Sequence, residues 1–148
     1  MNKLFFLCFF ASLILFSCTR EKTIIEETFP DGSPKKVCVY KVKGDVKEII
    51  KETTYYAGKK LQMEGTFKNN QRDGKWVYYY ENGKIWSDGF FKGGKNEGKR
   101  TTYFENGRIR YVAFYKEDVR VGKWQFFDEK GRLLKIVNYD VPADTLKK

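Results

Sequence analysis

The sequence predicts an all-β fold: an antiparallel meander of repeated β-hairpins forming one elongated, twisted or curled sheet. Three observations carry that prediction. Tyr55, Tyr79, Tyr103 and Phe127 recur every 24 residues. Phe67, Phe91, Tyr115 and Tyr139 keep the same interval. So do Gly74, Gly98 and Gly122, with Trp76, Arg100 and Trp124 two residues after each glycine. One period shared by independent series marks a repeat architecture, in which each unit buries its apolar surface against the next.

Composition agrees. The 148 residues suffice for one modest domain. Aromatic content is 18%, with 13 Phe and 10 Tyr, residues that fit a pleated, half-buried surface. There is no His, which removes Ser-His-Asp and Cys-His catalysis and the commonest metal ligand together. No carboxylate pair stands out as an acid–base couple. The formal net charge of +10 admits anionic partners, against the plainer reading of a Lys-rich solvated surface.

The N-terminus reads as an address. Met1-Asn2-Lys3 carries one side-chain positive charge, and residues 4–16 are apolar apart from Ser12. That run is too short for a membrane-spanning helix, which needs about 20 residues, and it fits a secretory signal. It ends Leu15-Phe16-Ser17-Cys18. This resembles the lipobox of bacterial lipoproteins, with Phe16 departing from the usual small residue. The resemblance implies cleavage before Cys18 and acylation of that cysteine, and more than one acyl chain gives stable anchoring. Cys8 leaves with the signal. Cys38, beside Val37, Val39 and Tyr40, reads as a buried strand residue without a disulfide partner. The expected organisation is a signal peptide at 1–17, a tether at 18–28, the repeat domain at 29–140 and a polar tail at 141–148.

The folded part opens on Phe29-Pro30-Asp31-Gly32, a turn signal. Residues 35–43 alternate as a strand, Gly44-Asp45 turns the chain, and residues 46–56 read as a second strand. In the regular units, Lys75-Trp76-Val77-Tyr78-Tyr79-Tyr80 and Ile85-Trp86-Ser87-Asp88-Gly89-Phe90-Phe91 are joined through Glu81-Asn82-Gly83. Asn-Gly between such runs is a hairpin signal. The link recurs as Glu105-Asn106-Gly107 and Glu129-Lys130-Gly131. Residues 69–74, 93–98 and 117–122 then read as longer return loops, each closed by a glycine. Alternation places Trp76, Tyr78 and Tyr80 on one face, and Ser87, Gly89 and Phe91 on one face with Trp86 and Phe90 opposite. Asp73, Glu97 and Asp118 read as surface salt-bridging acids beside Lys75, Lys99 and Lys123. Gly93-Gly94-Lys95 lacks the context of a phosphate loop.

The units Gly65-Thr66-Phe67, Gly74-Lys75-Trp76 and Tyr80-Glu81-Asn82-Gly83-Lys84 resemble the MORN repeat in its bacterial variant form. The chain as a whole is similar to small bacterial proteins of the YwqK-family antitoxin type. The resemblance covers about 55–139 and departs where Arg100 stands for Trp, and Ala113 and Val137 for Gly65 and Gly89. It brings no catalytic set, cofactor or metal site.

The leading reading is a non-enzymatic, lipid-anchored protein of the cell envelope, in the outer membrane, whose sheet binds or scaffolds a protein partner. Two alternatives stand beside it: an antitoxin-like neutraliser of a toxin, and a phospholipid or glycan binder using a basic aromatic face. Nucleic acid is not expected for an exported protein. Cys18 is the lipidation site. Off the repeat, Trp86, Lys95, Arg100 and Arg120 are the candidate partner surface.

Overall fold

The computed structural model describes residues 19–140. Cys18 and the signal segment lie outside the described residues, as does the tail at 141–148. Ten strands run β1 (Arg20–Thr28), β2 (Pro34–Lys43), β3 (Val46–Tyr55), β4 (Leu61–Lys68), β5 (Gln71–Tyr79), β6 (Ile85–Lys92), β7 (Lys95–Tyr103), β8 (Ile109–Lys116), β9 (Val119–Phe127) and β10 (Leu133–Asn138). They form one open sheet in sequence order, each strand antiparallel to the next. This is the meander expected from the repeat.

Two expectations are corrected. The segment read as a tether is β1, registered on β2 from Arg20 against Val42 to Thr28 against Pro34. It is an edge strand wet on both sides, so it has no apolar alternation to betray it. Lys35–Glu27 and Lys36–Glu26 ion pairs tie it to β2.

The second correction concerns the turns. Residues 69–74, 93–98 and 117–122 are not longer return loops. Asn69-Asn70, Gly93-Gly94 and Glu117-Asp118 are two-residue turns in which both residues have positive φ, the geometry that matches strand twist in tight hairpins. The Asn-Gly links are the longer connections. In 80–84 the Tyr80 N–H donates to the Lys84 carbonyl, Gly83 N–H donates to the Tyr80 carbonyl, and Asn82 Oδ1 accepts from Lys84 N–H at 3.0 Å. The pattern repeats at 104–108 and, with Asp128 capping, at 128–132.

Gly74, Gly98 and Gly122 therefore lie inside strands, with φ of 88, 73 and 66°. Each belongs to a bulge. Asp73, Gly74 and Lys75 oppose Thr66 alone, Gly98 to Arg100 oppose Gly89, and Gly122 to Trp124 oppose Ala113. A bulge bends its strand and adds twist. At the equivalent place in the N-terminal unit, Ile50 is the extra residue between Val39–Lys51 and Tyr40–Ile49. That unit keeps the bulge with a non-glycine, as suits an atypical end unit.

The tight turns also clasp the preceding unit. Glu48 accepts from Asn69 N–H at 2.8 Å, Asp73 from Gly93 N–H at 3.3 Å, and Glu97 from Glu117 N–H at 3.0 Å. Asp118 Oδ1 accepts from Asn96 N–H at 2.7 Å. Asp73, Glu97 and Asp118 thus hold backbone donors and do not pair with Lys75, Lys99 or Lys123.

Candidate functional site

The sheet is a single layer, so each face is a lattice of side chains whose rows are set by strand register. One face centres on Trp76, which is 0% exposed. Its indole lies flat over Gly65, its cross-strand partner, and its Nε1–H donates to the Thr66 carbonyl at 3.1 Å. Trp124 repeats the bond to the Phe114 carbonyl at 3.1 Å. Trp76 is wedged edge-on between Phe67 and Phe91, with centroids at 5.2 and 5.9 Å. Trp124 is wedged between Tyr115 and Tyr139 at 5.2 and 4.7 Å. Arg100 fills the gap, its guanidinium 5.4 Å from the Phe91 ring and 6.0 Å from Tyr115. One row thus runs Phe67, Trp76, Phe91, Arg100, Tyr115, Trp124, Tyr139. The aromatic series spaced by 24 flanks tryptophan in the outer units and arginine in the middle one.

Cys38 is fully buried, as its neighbours predict. Burial, and then the nearby Glu26 carboxylate, push its thiol up from the ordinary value. Tyr40 donates to Glu26, which lowers that carboxyl and raises the phenol.

The opposite face carries polar triads. Glu64 accepts from Tyr79 Oη at 3.1 Å and pairs with Lys51 Nζ at 3.0 Å. One unit on, Asp88 accepts from Tyr103 Oη at 3.5 Å and pairs with Lys75 Nζ at 3.3 Å. In the third unit the acid becomes Val112 and the phenol becomes Phe127. Acid and hydroxyl disappear together, so neither is left buried without its partner. Around the triads run two lysine files, Lys51, Lys75, Lys99, Lys123 and Lys68, Lys92, Lys116. Lys75 stands opposite Phe90 and Lys99 opposite Phe114, and these rings are 50% and 37% exposed.

Tyrosines one position off the main beat tie units together. Tyr56 Oη donates to the Tyr79 carbonyl at 2.9 Å, and Tyr80 Oη to the Tyr103 carbonyl at 2.7 Å. Burial, followed by the neighbouring Glu64, raises the Tyr79 phenol; burial, followed by Asp88, raises Tyr103. A group whose folded pKa is raised contributes stability that is complete below its unfolded value, about 10 for tyrosine, and lost as pH rises through the folded one. Unfolding midpoints in urea are expected to begin falling above about pH 8.5, where the thiol of unfolded Cys38 ionises, and to fall further above about pH 10, where the tyrosines do. Tyr79→Phe with Glu64→Gln should flatten part of that fall; an unchanged alkaline limb would refute the assignment.

The four candidate surface residues do not converge. Arg100 and Arg120 lie in the tryptophan row, Arg120 with its guanidinium 5.2 Å from the Trp124 ring. Lys95 pairs with Lys92 on the lysine face and reaches Glu117 at 3.6 Å. Trp86, expected on the Phe90 side, is the extra residue at a register shift and packs edge-on against Tyr78, which belongs to the Trp76 face, at 5.9 Å. It borders a shallow apolar cleft with Met63, Tyr56 and Gln62. Sequence reading missed Arg72, whose position 48 residues before Arg120 was a signal, and missed the lysine files, which are periodic but unremarkable singly.

The MORN repeat variant family model matches residues 50–69, 72–92, 96–117 and 120–140. The chain is a MORN repeat protein. Its four matched repeats cover most of β3 to β10, so the two-strand unit with its bulge and tight turn is the MORN unit as built here. No curated protein matches the chain. β1 and β2 lie before the first matched MORN repeat and extend the sheet by ordinary pairing.

Proposed function

We propose that this MORN repeat protein is a lipid-anchored, non-catalytic docking module of the bacterial cell envelope, held at the outer membrane through Cys18. The observation that carries the reading is the single-layer sheet, which leaves two ordered side-chain lattices uncovered instead of enclosing one site. A repeat sheet of this kind offers an extended surface to a partner. The start of β1 at Arg20 supports a short connection, because Thr19 alone separates Cys18 from the sheet.

A second reading has its own observation. The lysine files with exposed Phe90 and Phe114 suit an anionic lipid or glycan surface, where charge attracts and rings insert. The antitoxin role rests on family resemblance alone.

Cys18→Ala is expected to move the protein from the membrane to the soluble fraction and abolish acyl labelling, while circular dichroism of the sheet stays unchanged. Retention with labelling intact would overturn the anchor. Crosslinking in envelopes followed by capture should then retrieve a protein bound to wild type.

A further inference from the structure

Three arginines of the tryptophan face are held in place without a carboxylate. Among the described residues, Arg72, Arg100 and Arg120 take part in none of the seven ion pairs. The Arg72 guanidinium lies 4.2 Å from the Trp76 ring and 5.5 Å from Phe91. Arg100 sits between Phe91 and Tyr115, and Arg120 lies 5.2 Å from Trp124 and 5.6 Å from Tyr139. Stacking of this kind orients the guanidinium plane and leaves its N–H edge available. Each has one side-chain hydrogen-bond partner, Tyr78 at 3.4 Å for Arg72, Asn96 for Arg100, and Tyr139 at 3.5 Å for Arg120. A guanidinium has five donors. Arg100 also acts on Asp118. The Asn96 backbone and side-chain amides, and more weakly Lys95 and Arg100, hold its carboxyl below the ordinary range, and its Oδ1 is occupied by both Asn96 donors.

The three arginines belong to β5, β7 and β9, alternate strands of the sheet. Arg72 stands opposite Phe67 and Arg120 opposite Tyr115, whereas Arg100 stands opposite Ala113 and carries its guanidinium back to Asn96, the residue that holds the place of Arg72 in the middle unit. With adjacent strands about 4.8 Å apart, the guanidiniums of alternate strands are then spaced roughly 10 Å across the sheet. Phe67, Phe91, Tyr115 and Tyr139 lie along that file of guanidiniums.

We propose that this file is a docking track for an acidic, proline-rich segment of a protein partner, bound as a polyproline II helix with a carboxylate at every third residue. A polyproline II chain repeats its side every three residues, over about 9.3 Å, which matches the arginine step. The guanidinium fork takes a carboxylate through two parallel bonds. Half-buried Tyr115, between Arg100 and Arg120, and Tyr139 beyond Arg120 give prolines a floor, as in other grooves that read this helix. A single file suits a chain, whereas a bilayer would engage a two-dimensional array such as the lysine face. The proposal rests on the reading of the sheet as a binding module and is independent of the anchor.

The test uses the full chain in detergent and a fluorescent (Glu-Pro-Pro)4 peptide, followed by anisotropy. Binding is expected to weaken at least tenfold for (Gln-Pro-Pro)4 and for a (Glu-Pro) peptide with as many glutamates. Arg100→Gln and Arg120→Gln should each weaken it about fivefold or more, and the combined Lys92→Gln, Lys99→Gln, Lys116→Gln variant should leave it unchanged. If thermal melting shows that Arg120→Gln is destabilised, Arg120→Lys, which keeps stem and charge but loses the fork, should still weaken binding. Equal binding of the Gln peptide, or equal loss from the lysine variant, would overturn the track. So would arginine-dependent binding to anionic vesicles or an acidic polysaccharide without peptide binding. If crosslinking captures a partner and no peptide binds, the track fails while the docking-module reading stands.

Discussion

Gly65→Ala is expected to destabilise the protein by about 3 kcal/mol, at the upper end of what overpacking a filled core costs. A Cβ built on Gly65 overlaps the indole of Trp76, which lies against the glycine and is fully buried. The indole has no free direction to move, because Phe67 and Phe91 flank it and its N–H is tied to Thr66. Gly89→Ala is the matched control. There the nearest atom is Nε of Arg100, 3.1 Å away on a flexible side chain, and a cost well below that of Gly65→Ala is expected. Urea midpoints of the two variants decide it; equal costs would show that Trp76 is not seated as described. Trp76→Phe combined with Gly65→Ala should cost less than the two changes summed, since the smaller ring vacates the overlap and coupled neighbours depart from additivity.

Trp76→Ala should cost about 4 kcal/mol, the range for deleting a large buried aromatic. It removes the centre of the cluster that Met63, Phe67, Tyr78 and Phe91 pack around. In a linear array each unit touches only its neighbours, so stability is close to a sum of local terms. A gap at β5 is therefore expected to uncouple the two halves. Hydrogen exchange should show β1 to β5 losing protection before β7 to β10. Uniform loss across all strands would mean that the sheet folds as one cooperative block. Trp124→Ala, nearer the end of the row, should lower protection mainly in β8 to β10.

Much of the architecture was legible locally. The 24-residue period, the strand runs and the position of Cys38 in a buried strand follow from residue types and spacing, and the sheet is a meander because each unit pairs with its chain neighbours. The turn chemistry was legible in kind but not in place. Asn-Gly announced a tight turn, yet the tight turns fell at Asn69-Asn70, Gly93-Gly94 and Glu117-Asp118, because a positive-φ glycine serves a bulge or a five-residue link equally well. β1 was illegible because an edge strand exposed on both sides needs no apolar alternation.

The sequence by itself determined the repeat, its all-β units and the order in which they stack, because these depend on contacts between residues close along the chain. Tertiary structure decided what shares a face. Register and bulges place Arg72, Arg100 and Arg120 on one face although their spacings are 28 and 20 residues, and they put the lysine files on the other side. A single-residue change in register exchanges the two faces of a strand, so face membership could be known only once the strands were paired.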